Sequence, residues 1–93
     1  MMVGTIELRL SLAGTRSLKD KRSILRSLKD RIRAKFNVSV AEVDAHDFVQ
    51  SATLGVAQVA NDSRYLQSAL SKVVEMVKRA PGASLVDYNI QII

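Results

Sequence analysis

The chain has 93 residues, with fourteen Lys and Arg, nine Asp and Glu, one His, and neither Cys nor Trp. That length suits one domain, and 47% hydrophobic with 25% charged residues is a globular balance that excludes wholesale disorder. Without Cys there is no disulfide framework, thiolate metal site, thiol nucleophile or thiol redox chemistry. Glu7 and Arg9 interrupt the first apolar stretch and no basic segment precedes it, so a signal peptide is not expected. No run approaches the roughly 18 apolar residues of a membrane helix. The expectation is a soluble cytoplasmic protein with no membrane partner.

Net charge is +5 and is unevenly placed. Residues 16–35 hold nine Lys and Arg against only Asp20 and Asp30, whereas residues 36–93 hold four basic and six acidic side chains. The basicity therefore belongs to one segment of an otherwise slightly acidic domain.

Residues 2–12 alternate: Met2, Gly4, Ile6, Leu8, Leu10 and Leu12 on one face, Val3, Thr5, Glu7, Arg9 and Ser11 on the other. Period two over that length predicts a half-buried strand. Ala13 to Arg16 break the pattern. Ser17 is a good N-cap, with Asp20 at the capping-box position, and Leu18, Leu25, Leu28, Ile32 and Phe36 follow at helical spacing. A helix is predicted over 18–35. The Val-rich residues 38–45 predict a second strand and 46–51 a connection. Residues 52–60 are apolar on both faces, as a central strand would be. Asn61, Asp62 and Ser63 offer caps for a second helix over 63–79, whose stripe is Leu66, Ala69, Leu70, Val73, Val74 and Val77. Pro81-Gly82 stops it. Residues 84–92 alternate again, with Val86, Tyr88, Ile90 and Ile92 together on one side.

The order βαββαβ, wound as two right-handed crossovers, predicts a ferredoxin-like α+β sandwich: a four-stranded antiparallel sheet in order 4-1-3-2 with two helices on one face. Such a fold does not specify a function. It leaves the other sheet face open.

The strongest chemical feature is on the first helix. At about 100° per residue, Lys19, Arg22, Arg26, Lys29 and Arg33 fall within roughly an 80° arc. Aligned cations attract a phosphate backbone, with affinity that falls steeply as salt rises. The simpler alternative is a solvated face that keeps the protein soluble. Lys21 differs, projecting near the centre of the apolar arc. Snorkelling past the helix end is the expectation for it, against an ion pair or anion site beside the 13–17 loop.

Other constellations are weak. Gly14-Thr15-Arg16-Ser17 lacks the Gly-Lys-Ser/Thr ending of a phosphate loop and reads as a turn plus cap. His46 with Asp44 and Asp47 has no second cluster to complete a metal site, so no metal or cofactor is expected. No Gly-x-Ser-x-Gly elbow is present, and no catalytic residue is nominated. The two predicted central strands carry no aromatic residue, which argues against base stacking on the sheet in the manner of an RNA-recognition motif. An acylphosphatase site would need an Asn that strand 52–60 lacks.

On the open face, either Val38/Val40 with Leu54/Val56 or Ala41/Val43 with Ala57/Val59 must be exposed. An apolar patch of that kind marks an interface, and a homodimer through the open sheet face is the expected solution. The alternative is that Phe48 and Val49 fold over it.

Ser17-Leu18-Lys19-Asp20-Lys21-Arg22 resembles the opening of the first helix in the YlxP family of small bacterial proteins of unknown function. Phe36 to Val43 resembles that family's second strand, and Leu54-Gly55-Val56-Ala57 and Ala60-Asn61-Asp62 resemble its third strand and the following cap. The likeness extends over residues 3–92. Where the family often has a Gln-Asp-aromatic pattern, this chain has His46-Asp47-Phe48-Val49-Gln50. The resemblance implies the ferredoxin-like fold and carries over no catalytic residue. Its genes often lie near translation and ribosome-maturation genes, which implies a link to RNA or the ribosome. The expectation is a non-enzymatic binding module that holds RNA through Lys19, Arg22, Arg26, Lys29 and Arg33. The alternative is a homo-oligomeric domain, structural or sensing a small molecule between protomers near the strand 1–helix 1 loop.

Overall fold

A computed structural model describes all 93 residues, Met1–Ile93. The elements are β1 (Met2–Ser11), α1 (Leu18–Lys35), β2 (Ser39–Asp44), β3 (Ser51–Ala60), α2 (Ser63–Lys78) and β4 (Ser84–Ile92). The sheet order is β2-β3-β1-β4 with every neighbour antiparallel, which is the predicted order read from the opposite edge.

Alternation on β1 sets the register. Ile6 lies opposite Val56 and Ile90, and Leu8 opposite Leu54 and Tyr88, so one pleat face is a continuous apolar surface. Leu25, Leu28 and Ile32 of α1 and Leu70, Val73 and Val77 of α2 close over that face. Each such side chain contributes about 1.5–3 kcal/mol on burial. Ser17 caps α1 by accepting from the Asp20 N–H at 3.1 Å, and Asp62 caps α2 by accepting from the Arg64 N–H at 2.9 Å. The turn after α2 needs Gly82, whose φ of 82° follows Pro81 as a type II turn requires.

Two features of the open face depart from or resolve the sequence reading. Val40 points inward with Leu54 and Val56, which leaves Ala41 and Val43 with Ala57 and Val59 on the open side. A Cβ on Gly55 would lie 2.8 Å from Val43 Cγ1, so Val43 lies directly over a glycine floor. On β4, Val86 does not share a face with Tyr88 and Ile90. A bulge opposite Arg9/Leu10 pairs Arg9 with Asp87 and Leu10 with Leu85. Leu85 packs on the core and Val86 is exposed. The extra residue of a bulge reverses which side chain of an apolar pair faces in.

Candidate nucleic-acid interface

Helix α1 fixes the placement of the cations. Its buried line is Lys21, Leu25, Leu28 and Ile32. On one flank Ile24 lies against Gly82 in the turn before β4. The other flank faces β2 and carries Lys19, Arg22, Arg26, Lys29 and Arg33. Arg33 marks that orientation by donating to the Val40 carbonyl of β2 at 2.9 Å. The five positions extend along roughly 21 Å of helix at 1.5 Å per residue.

Their heads are not equivalent. Arg33 is engaged by Val40 and by Asp30, 3.5 Å away in an exposed i,i+3 pair of the kind that contributes little. Lys19, Arg22, Arg26 and Lys29 make no ion pair or side-chain hydrogen bond within the chain. Lys19, Arg22 and Arg26 are exposed and Lys29 is half-buried. Four unneutralised cations therefore stand in line beside the outer edge of the sheet.

Lys21 does not snorkel. The residue is 1% exposed. Its Nζ pairs with Glu42 Oε2 of β2 at 2.8 Å and donates to the carbonyls of Ala45 and Phe48, each at 2.7 Å. The loop after β2 curls back over the first turn of α1, so the helix end offers carbonyls and a carboxylate instead of water. A buried ammonium is tolerated only when paired and hydrogen-bonded in this way.

That ammonium shapes the 45–50 loop. Ala45 has φ 63°, unusual for a residue with a Cβ. The Asp44 carboxylate accepts from the Ala45 N–H at 2.8 Å, and the Ala45 carbonyl accepts from both Phe48 N–H and Lys21. Gln50 then ties the loop to the β1–α1 connection, its Nε2 donating to the carbonyls of Ala13 and Thr15 at 3.1 Å each. Phe48 stays 65% exposed at the tip, beside Arg9, Thr53 and Val86 at one end of the open face, and leaves Val43 and Val59 uncovered. His46, Asp44 and Asp47 are not gathered with one another into a metal-binding group.

Sequence reasoning placed Lys21 correctly on the inward face but not its partners. A signal was available in Glu42, which shares the inward face of β2 with Val40. An acid and a base on two apolar faces that meet are a pair.

A family model described as "Protein of unknown function (DUF503)" matches residues 3–90. The chain belongs to the DUF503 family. It is 30% identical over 80 residues to the uncharacterized protein YlxP of Bacillus subtilis (strain 168), covering 86% of this chain and 87% of that one. Two designed proteins share the fold. One, LFR1 1 with a ferredoxin fold, has a TM-score of 0.54 at 14% identity and covers 99% of this chain and 85% of its own. The other, Ferredog-Diesel, has a TM-score of 0.50 at 11% identity and covers 96% and 83%. These two likenesses speak to architecture alone. In this DUF503 protein the sandwich displays a charged helix flank and a loop pinned from within.

Proposed function

We propose that this DUF503 protein is a non-enzymatic cytoplasmic RNA-binding module, with α1 holding phosphates and little reading of sequence. The observation that carries the reading is the line of Lys19, Arg22, Arg26 and Lys29 with no carboxylate partner. Opposed like charges at i,i+4 cost a few tenths of a kcal/mol per pair, a cost that an anionic partner removes. The slightly acidic remainder of the domain orients the approach, because a polyanion is drawn to one flank and turned from the rest. Contacts of this type position a protein on a backbone without specifying bases. A ribosomal RNA partner accords with the family resemblance. The test is a Lys19→Ala/Arg22→Ala/Arg26→Ala variant titrated with structured RNA at low salt. Its affinity is expected to fall by about tenfold or more. Unchanged affinity would sink the reading, and absence of binding by both proteins would favour the oligomeric sensing alternative.

A second reading, compatible with the first, concerns the open face. Val43 and Val59 are 51% and 59% exposed beside Ala41, Ala57 and the floor at Gly55. The β1–β4 half of the same face carries Glu7, Arg9, Asp87, Asn89 and Gln91. A second copy laid across the apolar half by a two-fold axis covers both patches and leaves the charged halves wet. Light scattering at micromolar protein is then expected to give twice the 10.2 kDa chain mass. A monomer mass contradicts it.

A further inference from the structure

The loop held by Lys21 forms more than a structural tie. Between it and the β1–α1 connection lies an open cleft of about 690 Å³, lined by Thr15, Arg16, Asp47, Phe48, Gln50 and Ser51 among others. Three properties of this cleft point in one direction. Its aromatic wall is exposed, yet its backbone is fixed: the Phe48 carbonyl accepts from the buried ammonium and its N–H closes the turn onto Ala45. Fixing the backbone that carries the ring removes part of the entropic cost of binding on it. Arg16, from the β1–α1 connection, lines the opposite side and brings a positive charge to it. Asp47, next to Phe48 on the loop, adds a carboxylate to the lining, which disfavours a phosphate there but accepts hydrogen bonds from the amino group of a base.

The cleft also adjoins the start of the helix that carries the cation line. Arg16 precedes the N-cap Ser17, and Lys19 begins the line in the first turn of α1. A strand whose phosphates follow α1 would therefore bring a nucleotide to the cleft at the helix start.

Resting on the RNA reading above, we propose that this cleft receives one unpaired RNA base, stacked on Phe48 and hydrogen-bonded by Asp47, beside the phosphate track on α1. The sheet offers no aromatic platform, so the stacking group comes from a loop. Recognition is then of an unpaired nucleotide adjoining a helix, a feature of bulges and loops in folded RNA.

The test compares two RNA stems that differ only by one bulged adenosine, titrated against the full chain by fluorescence polarisation across a salt series. The bulged stem is expected to bind about tenfold more tightly, the size of one base–aromatic stack. Phe48→Ala should erase that preference while leaving the affinity for the paired stem and its salt dependence unchanged. Phe48→Trp should keep the preference. Phe48 is exposed, and a thermal melt matching the parent's will show that the alanine variant folds. Equal, salt-dependent binding of both stems by the parent, or a preference that survives Phe48→Ala, overturns the cleft and leaves the cation line standing. No binding of either stem overturns both.

Discussion

Lys21 is the residue on which most of the candidate interface turns. It joins α1, β2 and the 45–50 loop through one ammonium, with Glu42 2.8 Å away. Removing one member of a buried pair leaves the other desolvated and alone. Lys21→Met is therefore expected to destabilise the fold by about 3 kcal/mol, read as a lower urea midpoint. Lys21→Met/Glu42→Leu is expected to recover much of that loss, since it leaves no orphaned charge, and a double variant no more stable than the single one would contradict the pairing. Ala45 holds a left-handed conformation that Gly adopts without its steric cost. Ala45→Gly is thus expected to stabilise the protein, by about 0.5 kcal/mol after the added flexibility of the unfolded chain is subtracted. The inward position of Lys21 was legible from its place in the apolar arc. Its partners were not, because the facing of β2 depends on a register that its Val-rich sequence leaves open.

At the scale of elements, α1 carries two faces with different tasks. The line Lys21, Leu25, Leu28 and Ile32 packs, and the flank towards β2 displays charge. Arg33 belongs to both, since its guanidinium caps the Val40 carbonyl on an edge strand. Arg33→Ala is therefore expected to lose about 1 kcal/mol of stability, the worth of that hydrogen bond, while weakening RNA binding less than alanine at Arg22 or Arg26. Equal losses of affinity at all three positions would show that Arg33 is as free as the others. Both helices, their caps and all four strands could be read from period and cap residues to within a residue or two. What escaped were the register shift at Val43 in β2 and the bulge in β4. Leu85 and Val86 are adjacent and both apolar, so hydropathy alone does not tell which faces in, and the pairing with Leu10 decides it.

For the whole molecule, charge and exposed apolar surface are segregated. Cations line α1 on the helical side of the sandwich, while Val43, Val59 and Val86 are exposed on or beside the open sheet. A dimer across the open face would leave both cation lines pointing outward, so association and RNA binding need not compete. The net charge of +5 and its concentration in residues 16–35 were legible in the sequence. Which heads remain free of carboxylates was not, because that depends on side-chain geometry across α1 and β2. The salt dependence of RNA affinity tests the central claim most directly. Log K plotted against log salt for the full chain on structured RNA should fall linearly with a slope of about −3.6 to −4.5, as four or five neutralised phosphates require. A slope near zero, or no binding at the lowest salt, would contradict the assignment of α1 as a phosphate-binding surface.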